Sequence, residues 1–255
     1  MAQTIQPESL KVEQELFYKA DFKDIEAICI RISKLMDVLV NPNNSKFDNR
    51  KIGQNHIEFM PAFLAYSLDN VYKNMFLLAT ESQHISTGIL ARSILECLAN
   101  ISWLFESKDN KDELGRKTKI LFDQANSVYD LTAGKVNSVQ PIPKIGAGTL
   151  KSRLEKRGDG WLIIYSHLSS YSHMDAGFAV HYYLGETLGA RNLFCLFSSW
   201  ATLDSAKMLT ELLPLVKGVR KKIEAEIKEV NTMIDELKRS LNRRSQEARS
   251  NNRAV

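Results

Sequence analysis

Six apolar residues near the end of the chain, Ile223, Ile227, Val230, Ile234, Leu237 and Leu241, recur at alternating intervals of four and three. Only a helix gathers residues so spaced onto one face, so this stretch is an amphipathic helix with charged residues on its other sides. Leu64, Leu68, Val71, Met75 and Leu78 carry the same alternation. Helix breakers are scarce: 255 residues contain 12 glycines and 6 prolines, the prolines mainly near Pro42 and at Pro141 and Pro143. That distribution favours long helices over many short strands. No period-two alternation is strong enough to define a sheet, and no internal repeat is visible. The expected fold is therefore all-α, a bundle of about six to seven helices with a long charged C-terminal helix.

Read along the chain, the first helix is expected from about Glu8 to Val40. A turn-rich connection, NPNNSKFDNRKIGQ, follows it. The helix bearing Leu64 to Leu78 comes next, then one from about Ser86 to Phe105 that is apolar nearly all round and so belongs at the centre. A fourth is expected from about Lys111 to Thr132. Lys135 to Gly148 reads as a loop, and Thr149 as the N-cap of a short helix reaching Lys156. A further helix starts near Asp159 and runs through WLIIYSHLSSYSHMDAGF, with Gly177 and Gly185 marking bends or ends. The next spans about Leu188 to Leu213 and is stopped or kinked by Pro214. The expected organisation is an N-terminal helix and linker over 1–53, a helical core over 54–217 and an amphipathic helix with a basic tail over 218–255.

The apolar stretch ISTGILARSILECLANISWLF is long enough to span a bilayer, but it carries Arg92, Glu96 and Asn100, each costly in hydrocarbon. It reads as a buried core helix. The first residues, MAQTIQPESLKVEQ, lack the basic and apolar regions of a secretory signal, so the expected location is the cytoplasm. Cys29, Cys97 and Cys195 lie in apolar helical patterns without metal or redox spacing, and are expected to be buried free thiols. Charge is uneven. From Lys238 onward Lys238, Arg239, Arg243, Arg244, Arg249 and Arg253 face only Glu247, a balance of +5 that leaves about −1 for the rest of a chain of net charge +4. This tail could grip phosphates of RNA or an acidic partner. It lacks interleaved aromatics for base stacking, and a solvated helix end is the simpler reading.

Two polar stripes carry the candidate chemistry. Arg92, Glu96 and Asn100 are spaced by four on the greasy third helix, and an Arg and a Glu there must pair or face a wet cleft. Tyr165, Ser169 and His173 repeat by four on the later helix. If the two helices are neighbours, Arg92 and Glu96 could meet Ser169 and His173 across a shared cleft, the carboxylate orienting the imidazole. The alternative is that both stripes are satisfied polar groups within the core.

These stretches, ARSILECLANISWL and YSHLSSYSHMDA, resemble a bacterial all-helical family of unknown function that pairs an Arg-x-x-x-Glu helix with a Tyr-x-x-x-Ser-x-x-x-His helix. That family is in turn distantly similar to the HEPN domains, whose better-known members are ribonucleases, toxins and phage-defence effectors. The resemblance spans roughly Asn55 to Leu215. It implies a metal-independent ribonuclease with Arg92, Glu96, Tyr165, Ser169 and His173 as catalytic residues. HEPN ribonucleases usually place a His four to six residues after the Arg, whereas residues 97–99 here are Cys, Leu and Ala. Arg50 and His56 have that spacing formally, but Gly53 lies between them in linker-like sequence. Gly146 and Gly148 lack the rest of a phosphate-binding loop. His56, His84, His167 and His181 lack metal-binding spacing, so neither a metal nor a cofactor is expected. Two functions stay open: an RNA-acting effector in defence or stress response, and a non-catalytic helical interaction protein. The partners expected are RNA, and a second copy or another protein on the C-terminal helix, with no membrane.

Overall fold

In the computed structural model the structure describes residues 17, 20–44, 56–130, 135–136, 147–173 and 187–251. Among them are eight α-helices: α1 Phe22–Val40, α2 His56–Thr80, α3 His84–Phe105, α4 Lys111–Val128, α5 Ala147–Glu155, α6 Asp159–His173, α7 Thr187–Leu212 and α8 Val219–Asn251. The chain is an all-α bundle, with one helix more than the upper count expected. After α4 a two-residue antiparallel ladder pairs Tyr129 with Val136 and Asp130 with Lys135. It is too short to change the fold class.

Helix α3 is the centre of the bundle. It packs against α2, α4, α5, α6 and α7, and Ala91, Ile94, Leu95, Leu98, Ala99, Ile101 and Leu104 are all buried. By length and composition it could cross a membrane, yet half of its most apolar window lies inside the body. Helix α7 lies on α3, α1 and α2. It buries Phe194, Phe197 and Leu209 beside Ser198, Ser199, Thr202 and Ser205. Small residues let neighbouring helices come close, and hydroxyls can bond back to their own helix, as Ser199 Oγ does to the Cys195 carbonyl at 2.7 Å.

The first helix does not run unbroken from Glu8 to Val40. Asp21 adopts an extended conformation and caps α1, its carboxylate accepting from the Lys23 amide at 3.0 Å. Residues 1–16 lie outside the described residues. Two smaller expectations are corrected as well. α4 ends at Val128 rather than Thr132, where the ladder takes over the backbone hydrogen bonds. α5 begins at Ala147, so Thr149 stands inside the first turn instead of capping it. Pro61 falls inside α2, where one backbone bond is missing because proline has no N–H. Pro214 follows the end of α7, and Gly218 takes φ +90° to turn the chain into α8.

The apolar seam of α8 is used within the molecule. Ile223, Ile227, Val230, Ile234, Leu237 and Leu241 are all buried, against α1 and α7. Arg31 on α1 reinforces the docking through Glu226 at 2.8 Å and a second carboxylate, Glu229. The first and last described helices are therefore packed on each other.

Candidate functional site

Helices α3 and α6 run antiparallel, since Arg92 meets Tyr165 while Ser102, further along α3, meets Arg157 just before α6. The two polar stripes thus lie on adjoining helices. Arg92 Nη2 donates to the Tyr165 hydroxyl at 3.1 Å, its Nε lies 3.2 Å from Glu96 Oε1, and its guanidinium carbon stands 5.2 Å from the Tyr165 ring centroid. The Tyr165 hydroxyl in turn donates to Glu96 Oε1 at 3.5 Å. Arg92, Glu96 and Tyr165 form a closed triangle. The α-helical spacing of four puts Arg92 and Glu96 on one face, and the aromatic ring opposite supplies both a hydrogen-bonding oxygen and a π surface. The Arg92 side chain is 20% exposed and that of Glu96 40%, so the triangle touches water.

The other stripe residues are placed differently. Ser169 Oγ donates to the Tyr165 carbonyl at 2.8 Å, along its own helix. His173 is the last residue of α6, and its side chain lies outside the described residues. Eight residues separate it from Tyr165, about 12 Å of helix rise. The antiparallel packing carries it towards the start of α3, where His84 stands. Asn100 leaves the triangle altogether: its side-chain oxygen accepts from Arg153 on α5. Arg153 in turn stacks 3.8 Å from the centroid of Trp103, and burial holds its pKa below the usual value. Lys117 approaches the same ring at 5.2 Å while donating to the Trp103 carbonyl at 2.7 Å.

Cys29 and Cys195 are fully buried and all three cysteines are free. Cys195 and then Tyr72 and Ser199 hydrogen-bond to the Cys29 sulfur, which holds its pKa below the usual value against the opposing effect of burial. Burial pushes the Cys97 thiol up to about 12. The Tyr72 hydroxyl lies 3.0 Å from Ser199 Oγ, and its pKa is raised by burial first and by Cys29 second. Cys97 is only partly buried, against expectation, whereas the Cys29, Tyr72, Cys195 and Ser199 group is interior and sealed from substrates. Among the described residues no three His, Cys, Asp or Glu side chains are grouped to hold a metal. Arg50, Gly146 and His181 lie outside the described residues, and Gly148 is helical in α5. In the basic tail Arg244 pairs loosely with Asp24 at 3.9 Å, and Lys238 sits 5.3 Å from the Trp200 ring centroid.

Sequence reasoning missed a second polar centre. Arg157, in the α5–α6 turn, is buried with Asp204 of α7 at 2.8 Å, and Arg157 Nη1 donates to Ser102 Oγ at 3.0 Å. Their side chains are only 8% and 6% exposed. The one available signal was Asp204 itself, the sole charged residue between Arg191 and Lys207. This ion pair lines a cleft of about 580 Å³ between the C-terminal end of α3, the α5–α6 turn, α7 and the start of α8. Comparison with family models, curated proteins and solved structures returned no match for the chain.

Proposed function

We propose that this is a HEPN-like helical protein that acts on RNA as an effector in defence or stress response, using the partly exposed polar face where α3 meets α6. The observation that carries the reading is the Arg92 guanidinium, fixed by Glu96 and Tyr165 yet 20% exposed. A guanidinium held in one orientation is a strong, bidentate donor for phosphate oxygens and stabilises charge that develops on them. His173 acts as the acid or base and Glu96 sets the orientation of Arg92. With His173 about two turns along α6 from Tyr165, a ligand that reaches both must lie extended along this face, as a single-stranded RNA does. The test is cleavage of single-stranded RNA, or toxicity on expression, by Arg92→Ala and His173→Ala. Both variants are expected to lose activity while melting within a few degrees of the parent, and retention of activity by both overturns the proposal.

A second reading, a non-catalytic interaction protein, draws on the closure of the same triangle, which leaves Glu96 and Tyr165 already partnered. On that reading Arg92→Ala lowers the melting temperature markedly and no RNA is cleaved by the parent protein. The α8 seam is buried on the body. A second copy or partner would therefore have to bind the charged outer face of α8.

A further inference from the structure

The charged residues lining the second cleft divide sharply by what already engages them. Glu106 is paired with Lys117 at 3.3 Å and Lys156 at 3.5 Å. Asp204 holds Arg157 and Lys207, and Glu211 holds Lys108. Two charges remain. Arg220 and Glu224, both exposed on α8, have no ion-pair partner among the described residues although both line the cleft. Spaced by four, they share a helix face that continues to Ile227. Ile227 and Met208 are buried, and with Phe105 they give the cleft an apolar floor. Below lies Arg157, whose Nε is buried without a hydrogen-bond partner among the described residues.

An uncommitted cation and an uncommitted anion one helical turn apart, beside an apolar floor, fit one chemistry. We propose that the cleft binds a zwitterion with an apolar side chain, an amino acid or short peptide, its carboxylate on Arg220, its ammonium on Glu224 and its side chain on Phe105, Met208 and Ile227. The guanidinium engages a carboxylate through two parallel N–H donors, and Glu224 accepts from the ammonium. A simple anion would be drawn to Arg220 but repelled by Glu224, and a simple cation the reverse, so only the zwitterion uses both charges. A cleft of about 580 Å³ lies within the usual range of small-molecule sites and exceeds what one amino acid fills, leaving room for a second residue.

The full-length protein is titrated calorimetrically with phenylalanine and with leucyl-phenylalanine, and in parallel with N-acetylphenylalanine, phenylalanine amide and inorganic phosphate. Both zwitterions are expected to bind, the tighter of the two identifying free amino acid or peptide as the source. Arg220→Ala and Glu224→Ala are each expected to weaken binding at least tenfold with an unchanged melting temperature, both side chains being exposed. Arg92→Ala leaves binding unaltered, which keeps this site separate from the polar face on α3 and α6. Absence of binding by either zwitterion overturns the proposal, as does equal binding of the acetylated, amidated or inorganic ligands.

Discussion

Arg157 and Asp204 show what a single residue can hide. Forty-seven positions apart, neither belongs to a spacing pattern, and only the approach of the α5–α6 turn to α7 brings them to 2.8 Å. Deleting one partner of a buried ion pair leaves the other charge unpaired in the interior. Arg157→Ala is therefore expected to cost about 3–5 kcal/mol in urea unfolding. The double variant Arg157→Met, Asp204→Leu is expected to recover most of that, because apolar side chains of similar volume replace a buried pair at little cost. The Arg92–Glu96 pairing, by contrast, was legible from spacing. Its third member, Tyr165, was legible only as part of a stripe, since nothing in the sequence says which residue of that stripe reaches Arg92. His84 adds a pH dependence at the same scale. Burial and then the nearby Arg191 charge hold its pKa below the usual value, and its position at the start of α3 disfavours the cation in the same direction. The unfolded chain thus binds the proton more readily, so His84's contribution is complete above the unfolded value of about 6.5 and fades as pH falls through the lowered folded value. Unfolding free energies at about pH 7 and pH 5 are expected to differ less in His84→Gln than in the parent.

At the scale of the element, periodicity succeeded where a helix buries one face. α3, α7 and α8, and the start of α6, lie within a few residues of the positions their apolar spacing and flanking Gly or Pro imply; the expected continuation of α6 past His173 falls outside the described residues. It failed where tertiary contacts decide. The Ala20 carbonyl accepts from Asn192 of α7 at 2.8 Å, which anchors the chain just where α1 is cut and Asp21 takes over as cap. The seam of α8 was legible but its partner was not: amphipathic spacing says that a face is covered, never by what. Since α1 and α7 cover it, Ile223→Ala, at a fully buried position, is expected to cost about 3 kcal/mol through lost contacts and the cavity left behind. Ending the chain after Gly218 strips six buried apolar side chains from α1 and α7, each worth about 1.5–3 kcal/mol. The shortened protein is expected to aggregate or to melt well below the parent, as followed by light scattering and circular dichroism. Retention of the parent's melting temperature would show that α8 packs elsewhere.

Across the whole molecule, α3 joins two polar centres that share no residue: the Arg92 triangle in its first half and the Arg157 cleft at its far end. Ten residues of helix, about 15 Å, separate Arg92 from Ser102, and the intervening side chains Ile94, Leu95, Leu98, Ala99 and Ile101 are buried and apolar. Apolar packing between two sites transmits energy only if it has two arrangements to choose from, and a close-packed central helix held by five neighbours offers one. Sites further apart than about 10 Å without common partners act additively to within about 0.5 kcal/mol. The unfolding free energy lost by the double variant Arg92→Ala, Arg157→Ala is accordingly expected to equal the sum of the two single losses within that margin. A larger interaction energy would mean that α6, which carries Tyr165 and follows directly on Arg157, shifts as a unit and couples the triangle to the cleft. Ligand binding in the cleft would then shift the Arg92 triangle, which additivity argues against.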